Sequence, residues 1–142
     1  MSNSPIATVQ TRIAAAPARV WQALTDPASI RAYMFGAEVH TDWQPGSAIT
    51  WKGEWKGKPY EDKGRIVEAT PEKKLTYTHF SPLTGEEDLP ENYHTVTIIL
   101  QPDGAGTLLT LTQDGNATDE ARAHSESNWK AMLEGLRTVA EQ

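Results

Sequence analysis

The sequence predicts an α+β fold in which a curved antiparallel sheet of about six or seven strands wraps around one long C-terminal helix. Three observations predict it. The last 25 residues, Thr118 to Gln142, contain no proline and repeat apolar residues at helical spacing. From Ala37 to Thr112 the chain is a succession of alternating segments joined by short turns, the mark of antiparallel pairing. Between the first alternating segment and this run stand two short helical stretches, each opened by a proline.

In chain order, residues 1–5 are expected to be a loose tail. Ile6 to Ile13 alternates, with Ala7, Val9, Thr11 and Ile13 on one side, as in a half-buried strand. Pro17 opens a helix with an apolar face of Val20, Trp21 and Leu24, and Asp26-Pro27 supplies the N-cap and first position of the next, which carries Ile30, Tyr33 and Met34. Strands are then expected at Ala37–Trp43, Ala48–Trp55, Tyr60–Ala69, Lys74–Phe80, His94–Leu100 and Thr107–Thr112. Gly64, inside the third of these, marks a bulge or a close approach. The stretch Ser81–Asn92 is long for a hairpin and acidic, which makes it either a flap or simply a solvated loop. In the final helix Trp129, Met132, Leu133, Leu136 and Ala140 form one face, which continues backwards through Glu126, Ser125 and Arg122. Its C-terminal half therefore reads as core and its N-terminal half as the rim or mouth of a cavity. A helix of this length spans roughly 35 Å, about the width of a small domain.

Composition narrows the function classes. At 142 residues the chain is expected to be one domain with a real core. A net charge of −6 and the lack of any basic run argue against nucleic acid or an anionic membrane as partner. No apolar run approaches the length of a membrane span, and Met1-Ser2-Asn3-Ser4-Pro5 is not a secretory signal, so a cytoplasmic location is expected. With no cysteine there is no disulfide, thiolate site or cysteine nucleophile. Neither a nucleophile elbow nor a phosphate-binding glycine loop occurs, and no histidine lies in a metal motif, so no cofactor is expected.

The residues that remain are aromatic and imidazole groups. Five tryptophans in 142 residues favour walls for flat or apolar ligands, although the same side chains also serve as ordinary core. Trp51 and Trp55 share a strand face, as do Tyr77 and His79, and Val96, Ile98 and Leu109 face inward from later strands. Ser125, Trp129 and Met132 face them from the last helix, and Met34 and Phe35 stand at the entrance with the 81–92 loop. If the strands flanking that loop pair, His79 and His94 approach one another, and either is a candidate general base. Glu54 and Glu68, like strand carboxylates generally, are expected on the solvent face.

The chain resembles the helix-grip superfamily of START lipid-transfer domains and birch-pollen-allergen proteins, and within it the branch named after the activator of the heat-shock-protein-90 ATPase. The resemblance rests on Ala16 to Pro27, Pro45-Gly46, Gly64 to Pro71, Leu75 to Thr78, and Asn128-Trp129-Lys130 through Leu133 to Leu136. It implies a cavity between sheet and helix that holds a small apolar or aromatic molecule. It also leaves open a protein-interaction role with a chaperone ATPase as partner, and a cyclase- or hydrolase-type activity. Fold alone does not choose among these.

Overall fold

The computed structural model describes residues 5–34, 36–81, 85 and 87–142, with the Trp55 side chain also outside the description. Phe35, most of the anticipated N-terminal tail and residues 82–84 and 86 of the acidic loop therefore lie outside the described residues. The strands are β1 (Ala7–Ile13), β2 (Glu38–His40), β3 (Ala48–Trp55), β4 (Lys58–Thr70), β5 (Lys74–His79), β6 (His94–Asp103) and β7 (Gly106–Gln113). The helices are α1 (Pro17–Thr25), α2 (Pro27–Tyr33) and α3 (Asp119–Ala140). All seven strands form one sheet in the order β1-β7-β6-β5-β4-β3-β2, and every pairing is antiparallel. The α+β architecture expected from the sequence is the one observed.

The helix starts follow their capping residues. The Asp26 carboxylate accepts from the Ser29 N–H at 3.0 Å, and Thr118 Oγ1 accepts from the Ala121 N–H at 3.0 Å, each satisfying a donor that the first turn leaves open. Leu133, Leu136 and Ala140 on α3 are buried in the same apolar cluster as Val20 and Leu24 of α1, Ile30 of α2, and Ile98, Leu109 and Leu111 of the sheet. The C-terminal half of α3 is thus closed core, as its apolar face predicts.

The polar N-terminal half of α3 is held, not frayed. Glu126 accepts from the Thr8 N–H at 2.9 Å and from Arg122 at 2.8 Å, while Glu141 at the far end accepts from the Ala14 N–H at 2.8 Å. The Thr8 N–H, and after it Arg122, hold the Glu126 carboxyl below the usual glutamate range. A folded-state pKa below the unfolded one contributes stability above the unfolded value, and that stability is lost as pH falls through the folded value. Glu126→Gln is therefore expected to melt below the parent protein near pH 7, with the gap closing at pH below about 4. Thermal melts of the two proteins across that range check it.

Two departures from the expected strands have local causes. The segment 37–43 pairs only over Glu38–His40, because Trp43 turns to a φ of 60° and leaves the extended conformation. In β4 the register slips between Ile66 and Glu68, so Val67 is the extra residue of a bulge and stands 54% exposed. Gly64 is instead a close approach, since a Cβ built there would lie 1.7 Å from the Thr78 carbonyl oxygen.

Candidate functional site

The inner face of the sheet and the N-terminal half of α3 enclose a cavity of ≈ 340 Å³. Its aromatic wall is built by strand alternation. Trp51 on β3 lies with its ring centroid 5.4 Å from Tyr77 and 5.1 Å from His79, edge to face, a geometry that aromatic quadrupoles favour. Burial pushes the Tyr77 phenol above tyrosine's ordinary range, so it stays protonated. Met34, just past α2, and Trp129 and Met132 of α3 close the opposite side. The Trp129 indole N–H donates to Gln113 Oε1, which fixes the ring against the end of β7.

A second set of residues makes one end of the cavity polar. The two-residue turn at Lys56-Gly57 sets β3 against β4 so that Asp62 lies directly opposite Trp51, and Tyr60 opposite Gly53. The Tyr60 ring lies over Gly53, where a Cβ would come within 2.7 Å of the hydroxyl. His79 Nε2 and Asp62 Oδ2 are 2.9 Å apart. The His79 side chain is 31% exposed and that of Asp62 16%, so the pair is partly shielded from bulk water. His94 pairs directly across from His79 and also borders the cavity; its Nδ1 is 2.9 Å from the Asp114 carbonyl. Among the described residues no group of histidine and carboxylate side chains has the arrangement of a metal site.

Of the residues singled out from the sequence, Met34, Trp51, Tyr77, His79, Ser125, Trp129 and Met132 border this cavity. Ile98 lines a separate space of only ≈ 30 Å³, beneath Trp51 and Tyr77. Val96 and Leu109 are 1% and 0% exposed and belong to the closed core, away from the cavity wall. The Ser125 hydroxyl donates to Asn116 Oδ1 at 2.8 Å, and Asn116 in turn donates to the Pro5 and Gln113 carbonyls. The polar break in the helix face therefore anchors the loop before α3 as well as bordering the cavity. Phe35 and the Trp55 side chain lie outside the described residues. None of the described residues of the 81–92 loop borders the cavity; instead Asn92 donates to the Glu87 carbonyl, Tyr93 to Asp88, and Asp88 pairs with Lys63.

Sequence reasoning passed over Tyr60, Asp62, Gln113 and Asn128, all of which border the cavity. For Asp62 the signal was present. A two-residue turn at Lys56-Gly57 pairs Trp55 with Lys58, and counting back from that pair puts Asp62 across from Trp51, on the same face.

The family model described as activator of Hsp90 ATPase homolog 1-like protein matches residues 14–141. The chain belongs to this family. The solution structure of the family member's neighbour ChR145 from Cytophaga hutchinsonii is 53% identical, superposes with a TM-score of 0.87, and the match covers 99% of this chain and 97% of that one. The Aha1 dimer from Colwellia psychrerythraea is 20% identical with a TM-score of 0.74, over 96% of each chain. CalU16 from Micromonospora echinospora is 21% identical with a TM-score of 0.73, over 97% of this chain and 85% of that one. These last two show the shared fold alone. No curated protein matches the chain. Like its structural neighbours, this family member places a long terminal helix across a curved sheet; no helix among its described residues is long and apolar enough to cross a membrane.

Proposed function

We propose that this member of the activator of Hsp90 ATPase homolog 1-like family is a binding module for a small apolar or aromatic molecule, held between the sheet and α3. The observation that carries the proposal is the ≈ 340 Å³ cavity walled by Trp51, Tyr77, Trp129 and Met132. A water occupies about 30 Å³ of liquid, so this is room on the order of ten water volumes, the scale of a one- or two-ring compound. Aromatic faces with a few convergent polar groups are the usual lining of such sites.

A proton–nitrogen NMR titration against pooled fatty acids, flavonoids and aromatic acids tests this directly. The Trp51 and Trp129 indole signals are expected to shift. Trp21, which lines a groove elsewhere with Trp43 and Pro71, is expected to stay in place. If none of the tryptophan signals moves, the cavity takes no such ligand, and a protein partner, the alternative that the resemblance leaves open, becomes the leading reading.

A further inference from the structure

We infer that the ligand of this cavity is read at its polar end as a hydrogen-bond donor: a neutral aromatic hydroxyl, received by the Asp62–His79 pair, and not a carboxylate. The inference rests on the binding proposal above and narrows it to a ligand class.

Three observations converge. First, Asp62 Oδ2 lies 2.9 Å from His79 Nε2; between a carboxylate and a neutral imidazole only the ring can donate, which puts the ring proton on Nε2. The other ring nitrogen, Nδ1, is then an acceptor, and His79 borders the cavity. Second, Asp62 Oδ1 is buried without a hydrogen-bond partner. A buried acceptor left unpaired is costly, and a carboxylate turns readily about its terminal torsion, which is broad and two-fold. A small turn lets His79 keep one oxygen while a donor in the cavity takes the other. Third, no lysine or arginine stands among the described residues that line the cavity. A ligand carboxylate would meet the Asp62 charge with no cation to offset it, in surroundings where like charges repel more strongly than in water. The remaining polar groups on the wall include the Tyr60 and Ser125 hydroxyls, the Gln113 and Asn128 amides and the His94 imidazole; of these, Gln113 Oε1 already accepts from Trp129, the Ser125 hydroxyl donates to Asn116, and His94 Nδ1 lies 2.9 Å from the Asp114 carbonyl.

Three compounds with one bicyclic frame separate the possibilities: 2-naphthol, its methyl ether 2-methoxynaphthalene, and 2-naphthoate. In calorimetric titrations with the full chain, 2-naphthol is expected to bind about tenfold or more tighter than either of the others, the scale of one hydrogen bond to a charged group. In Asp62→Asn, which keeps the shape but removes the charge and frees the His79 tautomer, that preference is expected to fall below about threefold. If the ether or the naphthoate binds the parent protein as tightly as 2-naphthol while the Trp51 indole shifts, the donor inference is overturned and the cavity proposal stands. If none of the three binds at about 1 mM, both fall. The comparison of compounds on the parent protein decides the matter even if Asp62→Asn is poorly folded.

Discussion

Gly64→Ala is expected to cost about 3 kcal/mol or more of folding stability, because the added methyl has nowhere to go. Its carbon would sit 1.7 Å from the Thr78 carbonyl oxygen and 2.6 Å from the carbonyl carbon. Both are backbone atoms of the neighbouring strand, so no side chain can swing aside. Relief requires β4 and β5 to part where Lys63 exchanges two hydrogen bonds with Phe80, at 3.0 and 2.7 Å, and where the Arg65 N–H reaches Thr78 Oγ1 at 3.0 Å. Those contacts lie beside His79, so the substitution also disturbs the Asp62–His79 distance. Chemical denaturation measures the loss. A cost below about 1 kcal/mol would mean the strands can separate there without penalty, contrary to the close packing of interiors.

Trp51→Ala is expected to remove about 3–5 kcal/mol of stability and the greater part of any ligand affinity together. Trp51 is 5% exposed, packs on Tyr77 and His79, and forms wall to both the large cavity and the small space around Ile98. Its removal merges the two, exposes apolar core to water, and deletes the flat surface on which a ring would rest. Trp51→Phe separates the two effects. It restores part of the packing with a smaller ring, so stability should recover more than affinity does. Denaturation midpoints and calorimetric titrations on both variants check this; equal affinity in the parent and Trp51→Ala would remove Trp51 from the binding wall.

Much of the fold was legible because its signals are local. Alternation located β1, β3, β5, β6 and β7, and the caps at Asp26 and Thr118 located two helix starts. The failures came where tertiary geometry overrides alternation. Trp43 looks like a strand residue by type, yet its backbone leaves the extended region. Val67 interrupts the inward spacing of β4, so that Ile66 and Ala69, three apart, both pack on the core. At the cavity, side-chain type alone could not separate wall from core. Val96 and Ile98 obey the same periodicity as Tyr77, and only the path of α3 over the sheet decides which of them is covered. Asp62 was missed for the opposite reason. A carboxylate on a strand belongs in water on average, and only its register opposite Trp51 reveals that this one does not.

Glu126 of α3 and Glu141 just past its end bear on how copies of the chain can meet. β1 ends the sheet on one side, and its outward backbone donors are the groups onto which another strand would add. The Thr8 N–H, one of that row, and the Ala14 N–H just past its end are already taken by Glu126 and Glu141. At the other end the last strand, β2, is only three residues long, too short to template much of a neighbour. Both margins of the sheet thus offer a second strand less than a full row of free backbone groups.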